Sequence, residues 1–253
     1  MATEVLKLNN ISVEFDGFKA LTNVSTSIAE HEIHFFIGPN GAGKTTLLDV
    51  ICGKTRPKNG QVTLCSNHKN LLELPEYLIV GQGVGRKFQA PSLFVNLTVY
   101  ENMELSLKGG KGVFASLFHN TQKTERMDIL RILKRIDLLD KKDEMASGLS
   151  HGEKQWLEIG MLLVQKPELL LLDEPVAGMG EQETKKTGLI LREIAKNCSI
   201  VVVEHDMEFV RQVADTVTVL HEGKVLVEGN IEAVMENETV KDVYLGRGGE
   251  EVA

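Results

Sequence analysis

The sequence lacks any hydrophobic run that approaches the roughly 18 residues of a membrane span. Its start, MATEVLKLNN, has no apolar stretch of the kind found in a signal peptide. Its three cysteines, Cys52, Cys65 and Cys198, are odd in number and lack the spacing of a metal site, which suits a reducing compartment. These absences predict a soluble, cytosolic protein.

An excess of basic residues is also absent. The chain has 28 lysines and arginines against 36 acidic residues, a net charge of −8, which argues against a nucleic-acid partner. No internal repeat or low-complexity tract is present. Its 253 residues and 42% apolar content are those of one globular domain with a single packed core.

The most informative feature that is present is the segment GPNGAGKTT at residues 38–46, which fits the phosphate-binding loop template. Apolar residues precede it and a helical pattern follows it. Glycine turns would direct backbone N–H groups at phosphate oxygens, Lys44 would reach the β- and γ-phosphates, and the Thr45 hydroxyl would bind Mg²⁺. The segment predicts a nucleoside triphosphate site formed by Gly38, Pro39, Asn40, Gly41, Ala42, Gly43, Lys44, Thr45 and Thr46.

Two adjacent carboxylates follow an apolar run at residues 169–172 that is typical of a buried strand in a parallel sheet. Asp173 would stand where Mg²⁺ needs a ligand. Glu174 would polarise a water molecule for attack on the γ-phosphate. The alternative is a loop acid pair that only caps a neighbouring element.

A second anion site is predicted at residues 149–153, LSHGE, which precede a helical pattern. A serine hydroxyl and a glycine N–H at a helix start suit a phosphate, because the helix dipole favours anions there. Ser150 is also suited to be an ordinary N-cap, with Glu153 completing a capping box, and both roles can hold together.

These motifs resemble those of the ATP-binding cassette (ABC) ATPases, whose signature loop usually has the sequence LSGGQ. The resemblance implies that Ser150 and Gly152 contact the γ-phosphate. It also implies that Gln89 is a ligand of Mg²⁺ and water, and that His205 contacts the γ-phosphate. The sequence departs from the family at His151 and Glu153 in the signature loop.

Two further positions can be compared with the residues that are usual in this family. Gly180 stands where many cassettes carry an aspartate, in the segment that follows Asp173, Glu174 and a proline. Phe15 occupies the position where an aromatic ring commonly stacks on adenine. Phe18 is a nearby competitor for that role, and a plain core phenylalanine is the other interpretation of Phe15.

The resemblance extends over nearly the whole chain and implies an α/β fold. The expected fold is a P-loop NTPase with a RecA-like parallel-sheet core, an N-terminal antiparallel β part and an inserted α-helical subdomain. We expect the core at residues 1–88 and 151–253 and the helical subdomain at 89–150. Within that subdomain, a helix is predicted from the spacing of Leu130, Leu133, Ile136 and Leu139.

Within the family, the segments GVGRKFQAPS, LSHGEKQWLEIGMLL and DEPVAGMG are similar to those of importers of the branched-chain amino-acid and urea type, and closest to the urea importers. This similarity implies an ATPase that uses ATP and Mg²⁺ on the inner face of the membrane. Its partners would be a second cassette (another copy or a sister ATPase), permease subunits and a solute-binding protein. The alternatives are import of branched-chain amino acids or short-chain amides, and an ABC ATPase outside transport.

Overall fold

The computed structural model describes residues 3–87, 93–107 and 123–245. The predicted site residue Gln89 lies outside the described residues, as does part of the predicted helical subdomain. The described ranges contain both strands and helices, as expected for an α/β fold.

The described strands are β1 (Glu4–Phe15), β2 (Phe18–Ala29), β3 (Ile33–Ile37), β4 (Asn59–Leu64), β5 (Lys69–Asn70), β6 (Val84–Lys87), β7 (Leu169–Asp173), β8 (Ser199–Val203), β9 (Thr216–His221) and β10 (Lys224–Gly229). The described helices are α1 (Lys44–Ile51), α2 (Glu76–Ile79), α3 (Val99–Leu105), α4 (Lys123–Arg135), α5 (His151–Leu163), α6 (Glu181–Ala195), α7 (Met207–Val213), α8 (Ile231–Glu236) and α9 (Glu238–Leu245).

A six-stranded sheet with the order β10-β9-β3-β8-β7-β6 forms the centre of the fold. Its strands are parallel except for β10, which pairs antiparallel with β9 at one edge. Both faces of β7 are buried, because Leu170 and Leu172 pack with the helices while Leu169 and Leu171 pack with a second cluster that contains α1 and the N-terminal strands. Continuous apolar runs form these strands because neither face meets water.

The N-terminal part is a four-stranded antiparallel sheet with the order β2-β1-β4-β5. The predicted antiparallel β part and parallel core are therefore confirmed. Two alternating apolar runs of the sequence, residues 5–8 and 11–13, belong to one strand, β1, whose register with β2 shifts between Leu8 and Ile11. Asn10 has a φ of 51° at this position. The irregularity is local, as in a β-bulge, and β1 continues on both sides of it.

The helix predicted from Leu130 to Leu139 is shorter than its apolar pattern. Helix α4 ends at Arg135, and Asp137, with a φ of 56°, turns the chain out of the helix. Ile136 and Leu139 lie beyond the helix end, in the following turns, yet Ile136 is still fully buried. The apolar spacing therefore predicted the C-terminal end of α4 wrongly, because residues beyond the end of a helix can pack into the same core as the helix.

No helix within the described ranges is both long enough and apolar enough to cross a membrane.

Candidate nucleotide site

The predicted phosphate loop connects β3 to α1 at the carboxyl edge of the central sheet. Gly38 has a φ of 146°, and a Cβ there would lie 2.1 Å from the carbonyl oxygen of Leu220. Gly43 caps α1 with a φ of 101°, and its Cβ would lie 2.7 Å from the carbonyl oxygen of Ala20. Both positions require glycine, because the left-handed backbone and the close backbone neighbours leave no room for a side chain.

The Lys44 ammonium group lies inside this loop. Its Nζ donates hydrogen bonds to the carbonyl oxygens of Gly38, at 2.7 Å, and Pro39, at 3.1 Å. Burial lowers the pKa of Lys44, and the nearby carboxylates of Glu174 and Asp173 oppose that shift. The positive charge therefore lies beside the two acids that the sequence singled out.

Asp173 ends β7 in the same region and is buried, with 3% of its surface exposed. The Thr45 side chain lies beside this carboxyl group and opposes the rise in its pKa that burial causes. Oδ1 of Asp173 is buried and has no hydrogen-bond partner among the described residues. A buried carboxylate oxygen beside a threonine hydroxyl fits the oxygen ligands that Mg²⁺ prefers, so Asp173 and Thr45 would hold the ion.

Glu174 follows with a φ of 48°, and its N–H donates to the carbonyl oxygen of Val203 at 2.9 Å. A left-handed conformation is costly for a glutamate and is often found at functional sites. Its Oε1 lies 3.7 Å from Nδ1 of His205, whose side chain is mostly exposed. Glu174 and His205 therefore face the same open edge, at the ends of the neighbouring strands β7 and β8.

Ser150 lies elsewhere, at the N-terminus of α5. It caps this helix, and Glu153 completes the capping box, as predicted. The Ser150 hydroxyl donates to Oε1 of Glu183 at 2.8 Å, and Nε2 of His151 lies 3.1 Å from the carbonyl oxygen of Ala177. These contacts connect the signature segment to α6 and to the segment before it, and among the described residues no hydrogen bond joins Ser150 or His151 to the phosphate loop.

Phe15 and Phe18 face each other across the β1–β2 turn and expose 48% and 67% of their surfaces. The interpretation of Phe15 as a core residue is therefore wrong, and both rings remain available for stacking.

Gly180, the departure from the expected aspartate, is the N-cap of α6, and its N–H donates to the Glu183 carboxylate at 3.4 Å.

Sequence reasoning missed Arg86 on β6. Its Nη1 donates to Oδ1 of Asp49 at 2.5 Å and to Sγ of Cys52 at 3.0 Å, and its Nη2 lies 3.9 Å from Oδ2 of Asp173. The guanidinium group therefore joins α1 to the strand that carries the predicted metal ligand. The available signal was an arginine three residues before the predicted site residue Gln89.

Glu204, directly before His205, was also missed. It is 1% exposed, and its carboxylate accepts hydrogen bonds from the backbone N–H groups of His205, at 2.9 Å, and Val176, at 3.3 Å. Burial raises its pKa, and these backbone donors oppose that shift. Glu204 holds the His205 loop against the segment that follows Glu174.

Sequence reasoning also missed Lys87 and Glu158, which form a buried ion pair at 3.2 Å. It joins the end of β6, two residues before Gln89, to the middle of helix α5. Breaking such a pair by removing one partner leaves an uncompensated buried charge, which costs about 3–5 kcal/mol.

Asp173→Asn should make the nucleotide-free protein more stable at neutral pH. Burial raises the pKa of Asp173, with the charges of Glu174 and Asp49 adding to the shift, while Arg86 and the Thr45 side chain oppose it. A carboxyl group whose pKa rises on folding stabilises the fold below its ordinary pKa, and this contribution is lost as the pH rises through the folded value. We expect the variant's Tm at pH 8 to exceed the parent's by about 2–4 °C, and the difference to shrink towards pH 4.

The measurement is a thermal melt without nucleotide or magnesium at several pH values. Asp143→Asn is the matched control, because the side chain of Asp143 is 82% exposed. A Tm at pH 8 below that of the parent would show that the ionised carboxylate stabilises the fold.

Comparison with known proteins agrees with this geometry. The family model for ABC transporters matches residues 21–177, more than half of the chain. The high-affinity branched-chain amino acid transport ATP-binding protein LivG of Salmonella typhimurium is 36% identical over 255 positions, which cover 97% of this chain and 99% of the relative.

Two solved structures have the same fold. One is the ADP conformation of an ATP-binding cassette of an ABC transporter, with a TM-score of 0.84, 29% identity and coverage of 96% of this chain and 99% of that one. The other is a dimeric cassette in a post-hydrolysis state with bound ADP and phosphate, with a TM-score of 0.71, 25% identity and coverage of 89% and 98%. With its phosphate loop, buried Asp173 and half-exposed Glu174 at one sheet edge, this chain belongs to the ABC transporter family and is an ATP-binding, ATP-hydrolysing cassette.

Proposed function

We propose that this chain is the motor subunit of an ABC importer, in which two cassettes bind ATP between them. The observation that carries the proposal is the separation of the two phosphate sites. Lys44 lies near Asp173 and Glu174, whereas Ser150 contacts Glu153 and Glu183. ATP held by the phosphate loop of one cassette would meet the signature loop of another, which is either a second copy or a sister ATPase.

Within that site, Asp173 and Thr45 would hold Mg²⁺, together with Gln89. Glu174 would act as the general base towards the attacking water, and His205 would contact the γ-phosphate. Phe15 would stack on adenine. The half-exposed Glu174 side chain beside the exposed His205 supports these roles, because a base and a phosphate contact must both reach solvent and substrate.

We propose that the solute is a branched-chain amino acid. The similarity to LivG over 97% of the chain supports this solute better than urea, which the sequence segments alone favoured. BraF of Pseudomonas aeruginosa, named for the same type of transport, is 29% identical over a similar length. Urea is retained as the second candidate because of the segments DEPVAGMG and LSHGEKQWLEIGMLL.

Uptake in the source organism tests the solute. Deleting the gene should abolish most uptake of labelled leucine at low concentration and leave urea uptake unchanged. Complementation with the parent gene should restore uptake, and complementation with a Lys44→Ala gene should not. Loss of urea uptake with normal leucine uptake would contradict the amino-acid assignment and favour urea.

The partners and the location follow as further parts of this proposal. The chain would dock on permease subunits at the inner face of the membrane, and a solute-binding protein would complete the importer. Phe94 exposes 55% of its surface, and Leu97 and Tyr100 are partly buried near it, which supports this region as one side of the contact. The boundaries of the helical subdomain at residues 89–150 belong to the same proposal.

A further inference from the structure

The Ser150 hydroxyl is already occupied within the chain. A serine hydroxyl has one proton to donate, and that of Ser150 goes to Oε1 of Glu183 at 2.8 Å. The same oxygen accepts the N–H of Glu153 at 3.2 Å, which completes the helix cap. A phosphate offers only acceptor oxygens, so Ser150 cannot donate to a phosphate and to Glu183 at the same time.

Glu183 also lies over the second predicted phosphate contact, Gly152. A Cβ on Gly152 would lie 2.7 Å from both Cδ and Oε1 of the Glu183 side chain. The glutamate therefore covers the two residues that are predicted to bind the phosphate. Residues at the start of α5 have N–H groups without an acceptor inside the helix, and an anion at that position is favourable.

Glu183 differs from the nearby Glu153 in that no cation among the described residues compensates its charge. Glu153 forms an ion pair with Lys141 at 2.8 Å. In the part of the chain that the structure describes, no lysine, arginine or histidine forms an ion pair with Glu183. A phosphate that approaches Ser150 would thus meet a carboxylate, and like charges brought together weaken binding.

We propose that Glu183 is an internal competitor for the phosphate site of the signature loop. Its carboxylate takes the place of a phosphate oxygen at Ser150 and must move away before the loop can bind the γ-phosphate of ATP held by another cassette. This inference rests on the proposed function, because it assumes the two-cassette arrangement.

The position of Glu183 in the chain shows how its carboxylate could be moved away from Ser150. Glu183 lies in the first turn of α6 and accepts the N–H of Gly180, the residue that ends the segment after Glu174. His151 contacts Ala177 in that same segment. Movement of residues 176–180 when two cassettes meet would therefore shift Glu183 and free the Ser150 hydroxyl.

The test measures ATP-driven association by light scattering in a Glu174→Gln background, in which hydrolysis is slow. Adding Glu183→Gln removes the charge and keeps a side chain of the same size. We expect the ATP concentration for half-maximal association to fall by about tenfold. The matched control is Glu181→Gln, a carboxylate in the same helical turn that pairs with Lys185, and it should leave this concentration within about twofold.

A second variant shows whether Glu183 acts through the serine. In a Ser150→Ala protein, Glu183→Gln should change the half-maximal ATP concentration much less, because the two residues form one interaction. Circular dichroism and Tm establish that each variant is folded. An unchanged or increased ATP requirement for Glu183→Gln would overturn the proposal and show a capping or positioning role only.

Failure of the proposed function gives a different result. If the Glu174→Gln protein does not associate with ATP, either alone or mixed with a sister ATPase, the two-cassette arrangement and this inference fall together. If it associates with the same ATP requirement whether residue 183 is Glu or Gln, the inference alone fails.

Discussion

Lys44→Ala should lower ATP affinity by about 100-fold or more, because it removes a charge-assisted contact to the phosphates that is worth about 3 kcal/mol. In the structure, the Lys44 ammonium group is held by the carbonyl oxygens of Gly38 and Pro39 inside the loop. Isothermal titration calorimetry with Mg-ATP measures the change. The fold should survive, because burial lowers the pKa of Lys44 and its charge therefore does not favour the buried position.

Lys196→Ala is the matched control for this variant. Lys196 directly follows the C-terminus of α6, is largely exposed and pairs only with Glu193 among the described residues. Its removal should leave ATP affinity unchanged. Equal affinity of the Lys44→Ala protein and the parent would contradict the assignment of residues 38–46 as the phosphate site.

Glu174→Gln should slow ATP hydrolysis by about 10²- to 10⁴-fold, or roughly 3–5 kcal/mol of barrier, and leave ATP binding intact. The amide keeps the size of the side chain but cannot accept the proton of the attacking water. ATP should then persist and hold two cassettes together. Phosphate release and light scattering in Mg-ATP measure the two effects on the same sample.

Glu208→Gln is the control, because Glu208 is an exposed carboxylate at the start of α7, three residues from His205. It should hydrolyse ATP at the parental rate. If Glu174→Gln also hydrolyses at that rate and remains monomeric, alone and with a sister ATPase, both the general-base role and the two-cassette arrangement are wrong.

The sequence could predict the phosphate loop because that site is made of consecutive residues. Gly38 and Gly43 stand in the strand-loop-helix context that the motif requires, and each has the positive φ that favours glycine. The cap at Ser150 is local in the same way, since its partner Glu153 is three residues away. In both cases backbone geometry over a few residues restricts which side chains are compatible.

Local sequence patterns were less informative about helix ends and side-chain burial, because tertiary packing decides both. Leu139 continued the helical spacing of Leu133, but the helix ends at Arg135, because a core can be filled by residues on both sides of a helix end. For Phe15 the sequence left both a core role and a stacking role open. Its 48% exposure depends on the position of the β1–β2 turn at the edge of the fold.

What the sequence determined by itself is therefore the family, the ATP chemistry and the residues of each contiguous motif. Only the tertiary structure decided which of these motifs meet. It placed Asp173 within reach of Arg86 and Thr45, and it brought Glu183 to Ser150, 33 residues away in the chain. Contacts between residues so far apart depend on how the sheet orders its strands and how helices pack on it, and no local periodicity encodes that arrangement.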